Sequence, residues 1–173
     1  MKHLSGLLFG LLASHVLSVS AQTCDYEHTP VDTPDARYQI DNDGTVTDLN
    51  THLMWQICPA GLSGKDCTNG KATEMNWQQA LLYAEEQRGK KLAGYNDWRL
   101  PTVKELRTLS NRQCNYPAVN IHAFPNTPSY WYWSISPVIS DGAYAWGIAS
   151  DYGYDSWSNK LNKGLIRLVR TIR

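Results

Sequence analysis

Few local structures fit residues 94–106, Gly-Tyr-Asn-Asp-Trp-Arg-Leu-Pro-Thr-Val-Lys-Glu-Leu. Pro101 disfavours the helical region at Leu100, so the chain must arrive there extended. Thr102 suits a helix N-cap, and Glu105, three residues on, completes a capping box, so a helix should start abruptly at Val103. Val103, Leu106 and Leu109 or Ser110 then share one helical face. Trp98 and Leu100 lie two apart in the extended piece and point the same way, into a core, while Asp97 and Arg99 point the other way. Those two charges read as ion-paired groups that position a loop, not as catalytic ones.

The first 21 residues are read as an export signal. Lys2 and His3 precede an apolar run from Leu7 to Leu12 and on to Val19, and Val19-Ser20-Ala21 fits cleavage before Gln22. The run is short and broken by Ser14, His15 and Ser18, so it would span a bilayer poorly, and no stable membrane insertion is expected once it is removed. Ala21-Gln22-Thr23 before Cys24 lacks the small residues of a lipoprotein site. The expected organisation is a signal over 1–21, an N-terminal extension over 22–36 and one domain over 37–173, in a secreted or periplasmic protein. A mature chain of about 150 residues is the size of one domain with a real core.

The formal net charge is zero, which argues against a nucleic-acid partner. Basic residues nevertheless gather at the C-terminal end, where Lys160, Lys163, Arg167, Arg170 and Arg173 occur with no acid among them. A solvated charge pattern is the simpler reading of that run, and a polyanion site the sharper one.

Four cysteines in the mature chain suit an oxidising compartment, and three pairings are open to them. Cys58 and Cys67 bracket a short Gly-rich loop and pair most naturally with each other, which leaves Cys24 with Cys114. Zinc is disfavoured, because no Cys-x-x-Cys occurs and His28, His52 and His122 are scattered.

Residues 37–56 read as an antiparallel meander, turning at Asn42-Asp43-Gly44 and again at Asn50-Thr51. Asp41, Asp43 and Asp48 resemble part of a calcium loop, but with Gly44 as its sixth position the first would be Gln39 and the twelfth Asn50, so the end ligands are missing. A helix should follow from the N-cap Asn76, with Gln79 completing its box, Trp77, Ala80, Leu81 and Ala84 on its buried face, and Gly89 just past its end. From Cys114 to Tyr130 the prolines and asparagines predict a long ordered loop. Beyond it come aromatic strands: Tyr130, Tyr132 and Ser134 alternate with Trp131, Trp133 and Ile135, and one of these faces is expected in the core. Residues 151–155 should form a hairpin tip, and residues 164–170 a closing strand against the N-terminal part of the chain.

Asp97-Trp-Arg-Leu-Pro-Thr-Val-Lys-Glu-Leu106 resembles the signature of the Lcl C-terminal domain family. Gly44-Thr-Val-Thr-Asp48 and Leu53-Met-Trp-Gln56 upstream of it, and Pro117-Ala-Val-Asn120, Phe124-Pro-Asn-Thr-Pro128, Tyr132-Trp-Ser134, Ala145-Trp146 and Ile166-Arg-Leu-Val-Arg170 downstream, also match in the family's order. The Arg-Leu-Pro-Thr-x-x-Glu core is also similar to one in formylglycine-generating enzymes. The resemblance implies an α+β, C-type-lectin-like fold: two helices on short antiparallel sheets with a long irregular loop near the ligand surface. The collagen-like tract that gives the family its name is absent.

No nucleophile elbow, His-Glu-x-x-His or phosphate loop is present, and no cofactor or metal is expected. Formylglycine-type oxidation uses two cysteines near the C-terminus, whereas the last here is Cys114. Lectin-type calcium chemistry is not implied, because Glu-Pro-Asn and Gln-Pro-Asp are missing. The expectation is therefore a non-enzymatic binding module for a glycan, including sulfated polysaccharide as in some family members, or for a cell-surface protein. Its candidate contacts are Asn126, Tyr130, Tyr152, Tyr154, Asp155, Trp157, Lys160 and Lys163, where rigid aromatics stand among short polar groups. A structural domain of an exported assembly, or a lectin-like receptor diversified by a retroelement, are the alternatives.

Overall fold

A computed structural model describes residues 21–172; the signal assigned to residues 1–21 falls almost wholly outside them. The described chain is α+β, with two helices and several small antiparallel sheets.

Strand β1 (Thr23–Cys24) pairs with β7 (Cys114–Asn115), and the Cys24–Cys114 disulfide lies across that pair. The N-terminal meander forms as expected: β2 (Tyr38–Ile40), β3 (Thr45–Asp48) and β4 (Leu53–Gln56) are antiparallel neighbours, and β11 (Val169–Thr171) adds to β4. Gly44, at φ 87°, takes the left-handed turn between β2 and β3. The Cys58–Cys67 disulfide closes a loop holding β5 (Leu62–Ser63) and β6 (Asn69–Gly70). The C-terminal sheet is β8 (Trp131–Pro137), β9 (Tyr144–Ala149) and β10 (Tyr154–Asn159), with β9 central.

Both capping boxes are present. Helix α1 (Trp77–Lys90) starts at Asn76 with Gln79 returning the bond. Helix α2 (Val103–Arg107) starts at Thr102 with Glu105. Helix α1 runs through Gly89 and stops at Lys91, whose left-handed backbone at φ 51° closes it. Gly89 was expected past the end, but an open surface position costs a helix little beyond the entropy of one glycine.

The core has two parts. One gathers Tyr38, Val46, Trp55, Leu106, Phe124, Tyr132, Ile148, Leu165 and Val169. The other gathers Met54, Ala80, Ala84, Trp98, Leu100, Trp133, Ala145, Ile166 and Leu168. Adjacent strand residues fall in opposite parts: Met54 and Trp55, Tyr132 and Trp133, Leu165 and Ile166. These segments therefore run between the two parts and are buried on both sides. This corrects the expectation that only one aromatic face of β8 is core. Trp98, Leu100 and Leu106 are buried as expected, and Trp55 is buried with them. Trp77 is only half-buried: its indole donates to Ser134 O at 2.9 Å and Lys160 covers the ring.

The closing strand is shorter than predicted. Residues 164–168 leave the regular ladder because they bridge two sheets. Leu165 exchanges bonds with Trp131 O and Trp133 N on β8, while Leu168 O accepts from Gln56 on β4. The strand-like alternation of side chains survives, with Leu165 and Val169 in one part of the core and Ile166 and Leu168 in the other.

Candidate ligand-binding site

The hairpin tip between β9 and β10 is built by Gly153, whose φ of 76° and close approach to Ser110 and Ala118 suit a residue without a side chain. That approach presses the tip against the loop after α2. Ser110 Oγ donates to Gly153 O at 3.0 Å, and Tyr116 N and Ala118 N donate to Asp151 O and Ser150 O. Three tyrosines meet there. Tyr152 and Tyr154 stack with ring centres 6.1 Å apart, and Tyr116 meets Tyr152 edge-on at 4.9 Å. The Tyr116 and Tyr152 hydroxyls share a hydrogen bond, which together with slight burial pushes the Tyr116 hydroxyl pKa above its ordinary value. The rings stay in solvent: Tyr154 is 69% exposed and Tyr152 45%.

Below them runs a groove of about 680 Å³ that also touches Arg107, Arg112, Asp32 and Asp155. Both arginines are already paired. Arg107 bridges to Asp155, and Arg112 holds Asp32 through Nε at 2.7 Å and Nη2 at 2.8 Å. The Arg112 contact holds the Asp32 carboxyl below its ordinary range.

The other sequence candidates lie elsewhere. Trp157 shares a β10 face with Asp155, opposite to that of Tyr154, and packs edge-on against Trp146 at 5.7 Å. Lys160 is six residues beyond Tyr154, about 20 Å along a strand, where it donates to Gly142 O at 2.7 Å and covers Trp77. Lys163 is exposed in the turn beyond it. Asn126 donates to Asp66 O at 2.7 Å and so braces the loop closed by the Cys58–Cys67 bridge, while Tyr130 donates to Glu74 at 3.1 Å, in the segment before α1. The eight candidates are thus spread over several places, and only Tyr152, Tyr154 and Asp155 line the groove.

Among the described residues, the C-terminal cations do not form one patch. Arg167 is buried, donating to Gln56 O at 2.9 Å and Thr127 Oγ1 at 2.8 Å, with Phe124 under its guanidinium. Burial pulls its pKa down, partly offset by Tyr132, whose own hydroxyl burial pushes up to about 12. Arg170 pairs with Asp97 at 2.7 Å and lies over Tyr95.

Sequence reasoning missed Tyr116 and Arg107 as members of the site. Tyr116 had one usable signal, its place two residues after a disulfide cysteine at the start of the long loop. Arg107 had none beyond its position at the end of α2. The carboxylates of the meander turn are occupied by their own strand: Asp43 accepts from Thr45 Oγ1 at 2.6 Å and Asp41 from Thr47 Oγ1 at 3.3 Å. Among the described residues, no group of three or more His, Cys, Asp or Glu is placed to hold a metal ion, and no helix is long and apolar enough to cross a membrane.

Residues 44–170 match the model of the Lcl C-terminal domain, and the chain belongs to that family. No curated protein matches it in sequence. Two disulfides fit an oxidising, extracellular environment.

Proposed function

We propose that this chain is an exported, non-enzymatic binding domain of C-type-lectin-like fold, and that Tyr116, Tyr152 and Tyr154 hold a neutral glycan above the Arg107–Arg112 groove. One observation carries the reading: two stacked tyrosine rings and a third are held in solvent by a hydrogen-bonded scaffold, beside a groove whose charges are internally compensated. Flat aromatic faces suit the C–H faces of a sugar ring, and the hydroxyls, carboxylates and guanidinium edges supply polar partners. Paired arginines favour an uncharged ligand over a sulfated one, since a sulfate would first have to displace Asp155 or Asp32. The lectin-like fold is supported by a C-terminal strand that closes on the N-terminal meander and by a long irregular loop beside the site.

A glycan array carrying neutral and sulfated polymers, read at low and high salt, tests this. Binding should be insensitive to salt, weaken roughly tenfold or more in Tyr154→Ala or Tyr152→Ala, and persist in Lys160→Ala/Lys163→Ala. Salt-sensitive binding lost in the lysine variant would restore the polyanion reading. Silence across the array would leave a protein ligand.

A further inference from the structure

Strand β10 is the open edge of its sheet. Lys160 N donates to Ala143 O at 2.8 Å, and this sets the phase of the β9–β10 ladder. Ser158, Ser156 and Tyr154 therefore bond inward to β9, and the N–H and C=O groups of Asp155 and Trp157, with the N–H of Asn159, face away from it. These outward groups pair with nothing else among the described residues. The usual protections of an edge are missing: Tyr154-Asp-Ser-Trp-Ser-Asn159 has no lysine, proline or glycine, and its one charge, Asp155, is tied to Arg107. At its middle, Trp157 is 58% exposed.

We propose that β10 pairs antiparallel with β10 of a second copy of this chain, about a two-fold axis at Trp157. A second copy fits because the strand is complementary to itself in that register. Trp157 opposes Trp157 of the second copy, extending the Trp146–Trp157 contact across the axis. Asp155 opposes Asn159, an acceptor against an amide, so no like charges meet. The Trp157 N–H and C=O groups meet each other across the axis, Asn159 N–H meets Asp155 C=O, and Asp155 N–H meets the Asn159 carbonyl, which also accepts from Asn162 N at 2.9 Å. The chain's zero formal charge adds no long-range repulsion between copies.

The two three-stranded sheets then become one of six strands. The two Tyr154 side chains lie six residues apart along the ladder, about 20 Å, so a dimer presents two tyrosine clusters to one polymer and gains avidity. The pairing itself stands without the glycan reading, since it rests on the edge and not on the groove. A six-residue strand pair buries less than a standard interface, so association is expected only at high micromolar protein, on the order of 10⁻⁴ M.

Amide hydrogen exchange on the wild-type protein tests it without any variant. The Asp155, Trp157 and Asn159 amides should exchange freely when dilute and slow several-fold as concentration rises, while Ser156 and Ser158 stay protected throughout. Sedimentation should show a monomer–dimer equilibrium. Trp157→Lys and Trp157→Glu should each abolish it, and an equimolar mixture of the two should restore it, because opposite charges then meet at the axis. Exchange at those three amides that does not change with concentration overturns the proposal, as does a mixture that stays monomeric.

Discussion

Arg99 and Glu105 face each other through two hydrogen bonds, Nη1 to Oε2 at 2.8 Å and Nη2 to Oε1 at 2.7 Å, and the same carboxylate accepts from Thr102 N at 2.7 Å. One side chain thus caps α2 and anchors the segment before it. Arg99 in turn exchanges backbone bonds of 3.0 Å with Val169, so the pair ties the α2 start to the C-terminal strand.

Burial alone would raise the Glu105 carboxyl pKa; Arg99 and Thr102 outweigh it and hold it below the ordinary 4.5. The stability this contributes is fully present above about pH 4.5 and is lost as pH falls through the lower folded value. Glu105→Gln should cost about 1–3 kcal/mol at neutral pH and should flatten the acid limb of the stability profile. Urea titrations from pH 7 to 3 measure both effects; parallel profiles for the two proteins would refute the assignment.

Arg37 and Asp48 form a second pair, buried at the base of the meander, in which Asp48 Oδ1 accepts from Arg37 Nε at 2.8 Å and from Asn50 N at 3.1 Å. Asp48→Ala leaves a buried guanidinium without its carboxylate and should cost about 3–5 kcal/mol. Arg37→Met/Asp48→Leu should lie closer to wild type than either single change, because neither charge is then stranded. Chemical denaturation of the three variants decides it.

The two disulfides should differ in weight. Cys24–Cys114 spans 90 residues and Cys58–Cys67 spans 9. Loop entropy assigns about 4–5 kcal/mol to the first and about 2.5 kcal/mol to the second. Beyond stability, Cys24→Ser/Cys114→Ser should loosen the loop bearing Tyr116 and weaken ligand binding, whereas Cys58→Ser/Cys67→Ser should leave binding intact. Non-reducing peptide mapping, thermal melts and the binding assay together check this, and a free thiol in the wild-type protein would contradict the pairing.

Much of the fold could be read along the chain because its signals are local. Both capping boxes, the meander with its Gly44 turn, the hairpin tip and the buried Trp98–Leu100 pair follow from residues within a few positions of one another. The disulfide pairing was accessible for a similar reason, since a short glycine-rich loop selects its own bridge. The site was less legible. Tyr152, Tyr154 and Asp155 were found by exposure at a turn, but Lys160, Lys163 and Trp157 were grouped with them by sequence nearness alone. Strand periodicity then separates them: three residues turn a side chain to the other face, and six carry it to the other end of the strand.

What the sequence determined by itself is the set of local conformations: where helices start, where strands turn and which residues prefer burial. Only the tertiary structure decided that β8 and residues 164–168 lie between two parts of a core, so that both of their faces are buried. It also decided that Arg167 and Arg170 are consumed by Asp97, backbone carbonyls, Thr127 and aromatic rings, and that Tyr116 meets Tyr152 across 36 residues of chain. The physical reason is the range of the interactions. Capping and turn preferences act over one turn of backbone, whereas burial on a second face, charge pairing and ring contact depend on which distant segment arrives, and no local pattern encodes that arrival.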